Sequence, residues 1–268
     1  MAKQHEKAEG LPNEPNVGWR VGILIIGSLF WDTKRKKWRE QLRFDKEAQP
    51  SIKVPIRYGR ISKSRGNCYT MAFDPKLDDI KWGDAFVIEA KKRAADVDSL
   101  LTEAVELGEA EGIPDNMCIA RWCAIGAVWR RAEPQVVREW RDKLATKATD
   151  AVRRKHPNRA DIARLADLPF NWSILDADEK FDVLLAANCD PVAEWPSAAD
   201  IAHRMYADTT RLGFEYFQKN RKAGITTFQD ADILRELKAL FEKDHDRLKW
   251  IDDQVNCFDA TTRRSPSK

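Results

Sequence analysis

Apolar and polar positions change their period twice along this chain of 268 residues. The run Val21 to Ile26 is short, continuous and β-branched, and Gly27-Ser28 stops it. That pattern predicts a buried strand ending in a tight turn. From Asp32 to Leu42 the chain reads as a short basic helix. Ile52 to Ile61 alternates as one strand, with Pro55 placing it at an edge or a bulge. Ser64 to Asn67 is a turn, Cys68 to Phe73 a further strand, and Asp74-Pro75 its end. After Trp82-Gly83, Asp84 to Glu89 forms another strand. Val97, Leu100, Leu101, Ala104, Val105 and Leu107 then recur at helical spacing. This helix runs to Glu111 and is stopped by Gly112 and Pro114. Ile119 to Trp129 reads as one last long strand. Residues 18–131 are thus expected to form a small, mostly β unit with one principal helix.

Beyond Arg131 the pattern turns helical. One helix starts at Pro134 and carries Val137, Trp140 and Leu144. Ala160 to Leu168 is a second, stopped by Pro169, and Asp178 to Ala187 is expected to be a third. A longer one opens at Ser197 and passes through Met205, Leu212 and Phe217 to Gly224. The last spans Asp230 to Trp250, with Ile233, Leu234, Leu237, Leu240 and Phe241 on one face. Residues 132–260 therefore read as an all-helical domain or cap. Residues 1–17, with two prolines and many charges, read as a flexible leader, and 261–268 as a disordered tail. The expected fold class is α+β, and no internal repeat is seen.

Composition narrows the chemistry more than it selects it. Hydrophobic residues make up 43% and charged residues 33%, ordinary values for a globular protein. No apolar run reaches the length of a membrane span, and the first twenty residues have no signal-peptide core. A cytoplasmic location is the expectation, with no membrane partner. The five cysteines are scattered without a Cys-x-x-Cys pair, which argues against a disulfide framework or a zinc knuckle. The four histidines are isolated, so no metal is expected. Net charge is +3, and acids interleave the basic stretches Lys34–Arg39 and Arg57–Arg65, which speaks against nucleic acid.

Several residues, in one order across about 110 positions, give the β unit a family likeness. Gly27-Ser28-Leu29 is similar to the Gly-Ser turn that ends the first strand of the gamma-glutamylcyclotransferase-like family. The strands with Arg60 and Thr70 resemble that family's next two barrel strands. Trp82-Gly83 before an apolar strand resembles its Trp-Gly-Val segment. Leu107-x-x-x-Glu111-Gly112 resembles its Leu-x-x-x-Glu-Gly. Two positions depart from the pattern: Ile26 stands where the family often has Tyr, and Asp84 replaces an apolar residue. The helical half has no counterpart in the small members.

The resemblance implies a small mixed β-barrel with a cleft at one end. It also implies a reaction in which the α-amine of a small γ-glutamyl compound attacks its own γ-carbonyl and releases 5-oxoproline. Such chemistry needs a carboxylate to take a proton from the α-ammonium, and main-chain N–H groups to hold an anion. Ring closure within one molecule needs no cofactor. By this likeness Glu111 is the base, and Gly27, Ser28 and Leu29 are the anion-holding loop. Trp31 is an aromatic wall in place of the missing Tyr. Glu89, Glu103, Glu106 and Glu109 compete with Glu111. The alternative is a ligand-binding or regulatory protein that keeps the barrel without the reaction. The helical addition would then serve as a lid, a docking surface or a homodimer interface.

Overall fold

Val21–Ile25 (β1) is buried at all five positions, as a strand covered on both faces is. In this computed structural model the described residues are 18–41, 51–115, 117–175 and 180–242. The expected leader, the tail and the far end of the last helix lie outside them. Following β1 come α1 (Lys36–Gln41), β2 (Ser51–Val54), β3 (Ile56–Ser62), β4 (Cys68–Phe73) and β5 (Gly83–Glu89). Next are α2 (Val97–Glu111), β6 (Ile119–Ala120), β7 (Cys123–Trp129), α3 (Pro134–Thr146), α4 (Asp150–Lys155) and α5 (Arg159–Arg164). Then follow β8 (Val183–Cys189), α6 (Ala198–Ala207), α7 (Leu212–Lys222) and α8 (Asp230–Phe241).

The α+β class is what the chain adopts, but the sheet is not a closed barrel. Six strands lie in the order β2-β5-β1-β8-β7-β6, and β3-β4 form a separate hairpin. Among the described strands of this sheet, β1 and β8 are the parallel pair, in register from Val21 opposite Val183. The expected single strand over residues 52–61 is two strands in two sheets. Pro55 has no N–H to continue the ladder, so β2 ends at Val54 against Gly83 and β3 departs to pair with β4. The expected strand over 119–129 is likewise a hairpin, with Ala120 paired to Cys123 across Arg121-Trp122. No Gly or Asn marks that turn.

The largest correction falls on the region expected to be all-helical. Val183–Cys189 is a strand at the centre of the sheet, between β1 and β7. Its Leu and Ala residues favour helix in isolation, and a strand buried on both faces shows no alternation to betray it. Burial in the sheet overrides propensity there. The long helix expected from Ser197 to Gly224 is also broken. Asp208, almost wholly buried, accepts the N–H of Gly213 at 2.9 Å and the hydroxyl of Thr210 at 2.5 Å. Arg211 takes a left-handed φ of 61° there. Asp84, noted as a departure from the family pattern, accepts the Thr226 hydroxyl at 2.7 Å and pairs with Lys53 at 2.8 Å, tying β5 to the segment before α8.

Candidate active site

Because β1 and β8 run parallel, their carboxyl ends open on the same edge of the sheet, the side where open sheets place ligands. A cavity of about 420 Å³ lies there. Ile26 to Leu29 enter it after β1, Ala187 and Cys189 from the end of β8, and Ala110 to Gly112 from the end of α2. The β3-β4 hairpin adds Arg60, Ser62, Thr70 and Met71, and α7 adds Tyr216.

Glu111 reaches this cavity because of its place on α2. An Asp96–Ser99 capping box starts the helix, and Leu100, Ala104 and Leu107 form its buried stripe. At 3.6 residues per turn, position 111 continues that stripe. Gly112, at φ 88°, ends the helix immediately afterwards. Burial pushes the Glu111 carboxyl up to about 7, opposed by the nearby charges of Arg60 and Arg35. The competing acids are separated by the same geometry. Glu109 is exposed, and Glu103 and Glu106 face a different hollow beside Lys92. Glu89 is held by Arg20 at 3.1 Å.

The Gly27-Ser28-Leu29 turn borders the same cavity. Gly27 is extended (φ −171°), so its lack of a side chain answers a need for space. A Cβ there would lie 2.8 Å from the Tyr216 hydroxyl. The chain then closes a 3-10 turn at Ser28–Phe30. Among the described residues, no backbone acceptor takes the N–H groups of Ser28 and Leu29. Arg39 of α1 fixes the turn by donating to the carbonyls of Leu29 at 2.7 Å and Asp32 at 2.6 Å.

Trp31 does not line the cavity, contrary to expectation. Its indole N–H donates to Asn220 at 2.7 Å, and its ring meets Tyr216 edge-on at 6.1 Å, so it buttresses the wall from behind. The aromatic groups that do line it are Trp122 and Tyr216. Tyr216 thus brings a phenol, from far along the chain, to within reach of Gly27, beside the position where Ile26 lacks one. The backbone N–H of Met71 donates to this hydroxyl at 3.4 Å.

Cations outnumber acids around the cavity. Lys34, Arg35, Arg60 and Arg65 face Asp32 and Glu111. A β-bulge at Gly59 shifts the register between Tyr58 and Arg60 and re-aims Arg60, whose guanidinium stacks 4.3 Å from the Trp122 ring. Gly59 is required because a Cβ would run into the Trp195 ring. Arg65 pairs with Asp32 at 3.4 Å and lies over the rings of Trp31 and Tyr216. The cavity therefore suits an anionic ligand with one protonatable centre opposite Glu111.

The contact between Gly27 and Tyr216 makes a checkable prediction. Gly27→Ala is expected to lose about 1–3 kcal/mol in urea unfolding by overpacking. The loss should shrink when Tyr216→Phe is also present, because the oxygen being struck is gone. Additive losses in the double variant would show that the two residues are not in contact.

Tyr216, Trp122 and Arg60 are among the lining residues that sequence reasoning did not assign to the site. Arg60 was legible only as part of a basic stretch and of a strand with a family likeness, and Tyr216 carried no signal beyond its place in an expected helix. Among the described residues no group of three metal-ligating side chains converges, and no helix is long and apolar enough to cross a membrane. Compared with known proteins, the chain matches no family model, no curated protein and no solved structure.

Proposed function

We propose that the protein is a gamma-glutamylcyclotransferase-like enzyme that releases 5-oxoproline from a γ-glutamyl compound. One observation carries this reading: Glu111 and the Gly27-Ser28-Leu29 turn, 82 or more residues apart in sequence, border one cavity. In the proposed reaction the Glu111 carboxylate takes a proton from the substrate's α-ammonium. The freed amine attacks the γ-carbonyl carbon, and the oxyanion that forms is held by the N–H groups of Ser28 and Leu29. The bond to the leaving amine then breaks, and protonated Glu111 returns its proton to that amine.

A carboxyl poised near 7 suits both halves of this exchange, since it can accept and donate at neutral pH. The cationic lining, Arg60 above all, is assigned to the substrate's α-carboxylate. A charge-assisted contact of this kind contributes about 1.5–3 kcal/mol. Tyr216 narrows the cavity beside the turn and supplies the phenol that Ile26 lacks.

The test is incubation with a panel of γ-glutamyl amines and peptides, with 5-oxoproline measured by chromatography. Release that requires the γ-glutamyl linkage supports the assignment. Thermal stabilisation by glutamate-like ligands without any 5-oxoproline would leave a binding protein in its place.

A further inference from the structure

Cys123 opens β7 and Cys189 closes β8, and the register sets them directly opposite each other. Antiparallel partners keep their Cα atoms about 4.5–5.5 Å apart, within the roughly 4.4–6.8 Å span of a disulfide. Both cysteines are free thiols, and their sulfurs lie 3.1 Å apart. Cys189 borders the cavity and Cys123 sits behind it. The other described cysteines are placed differently. The Cys68 thiol donates to the Arg204 carbonyl at 3.4 Å, Cys118 is buried elsewhere, and neither borders the cavity.

We propose that Cys123 and Cys189 form a reversible dithiol–disulfide pair in the cavity wall, oxidised by a low-molecular-weight disulfide that enters the cavity. Cys189 is the attacking thiol because it is the one a ligand in the cavity can reach. Its sulfur, on losing a proton, attacks one sulfur of the incoming disulfide. That S–S bond breaks, and half of the molecule departs as a thiol carrying the proton. The Cys123 sulfur then attacks Cys189, the mixed disulfide breaks, and the second half departs with the Cys123 proton. The protein loses two hydrogens and the small disulfide gains two.

Burial and the neighbouring Cys189 and Glu111 hold the Cys123 thiol well above its ordinary value, with Arg60 opposing them. This disfavours Cys123 as the first nucleophile and suits it to the second, intramolecular step. Trp122, adjacent to Cys123 in the chain, stacks on Arg60 at the cavity wall. Drawing the sulfurs from 3.1 Å to the roughly 2.05 Å of a disulfide pins that wall to the end of β8. The inference uses the cavity and the thiols alone and does not depend on the reaction proposed above.

The experiment uses the reduced full-length chain and 2-hydroxyethyl disulfide as the probe. Intact mass is expected to fall by two hydrogens, with no adduct retained. Non-reducing peptide mapping should join the Cys123 and Cys189 peptides, and dithiothreitol should separate them again. Cys123→Ser is expected to stop at a stable mixed disulfide on Cys189, and Cys189→Ser to leave Cys123 unmodified. Unchanged mass, a bond involving Cys257, or a bond formed only in urea would overturn the proposal. Mapping of the unmutated protein decides the matter even if a serine variant fails to fold.

Discussion

Glu111→Gln is expected, under the proposed cyclisation, to lower 5-oxoproline release by about 10²–10⁴-fold, the usual contribution of a general base, while making the protein more stable above pH 7. The two effects have one cause. Burial lifts the Glu111 carboxyl from 4.5 in the unfolded chain to about 7 in the fold. Between those values the native state binds more protons than the unfolded state, so stability falls as pH rises. Its contribution is complete below pH 4.5 and is lost as pH passes through about 7. The loss has a ceiling of about 3 kcal/mol. Gln keeps the shape without the charge and should remove that slope. Glu103, pushed up to about 7, and Asp230, pushed up to about 6, tilt both proteins in the same sense. The informative quantity is therefore the difference in Tm between variant and parent, at pH 5 and again at pH 8. An equal difference at both values would place Glu111 in water rather than in the cavity. Undiminished activity in the variant would remove it as the base.

A chain ending at Arg131 is expected not to fold, although the β unit read from sequence ends there. The truncation removes β8 and leaves β1 and β7 without their shared neighbour. Val183, Leu184, Leu185 and Ala186 are fully buried in the intact chain, and each large apolar side chain among them contributes about 1.5–3 kcal/mol on burial. Their removal also leaves unpaired backbone groups along two strand edges, a template for aggregation. Circular dichroism with urea titration of residues 18–131 should show no cooperative transition. A sharp transition would make the β unit an autonomous domain. A milder form of the same test is Leu185→Ala in the full chain, expected to cost about 2–5 kcal/mol.

Local signals were enough for much of this protein. The apolar run ending in Gly27-Ser28, the stop at Gly112 and the strand Cys68–Phe73 all rest on neighbouring residues, and the structure has them where the pattern predicts. Position 111 was singled out by the family likeness of Leu107-x-x-x-Glu111-Gly112, and the structure separates it from the competing acids because it continues the buried stripe of α2. Other features, the break between α6 and α7 among them, were not legible. Pro55 and Arg121-Trp122 divide strands that read as continuous, because which sheet a strand joins depends on partners elsewhere in the chain. Val183–Cys189 reads as helix, since its apolar residues carry no period once both faces are covered. Tyr216 shares a cavity wall with Gly27 only because α7 packs beside the first turn.

By itself, then, the order of residues determined the α+β class and the bounds of those elements whose ends carry local signals, β1, β4, β5 and α2 among them. The tertiary structure alone decided that β8 lies between β1 and β7, that the sheet stays open, and that Glu111, Arg60, Tyr216 and the Gly27 turn share one hollow. The physical reason is range. Propensity, capping and periodicity act within a few residues, whereas burial of a strand or a carboxylate is set by groups about fifty to more than a hundred residues away.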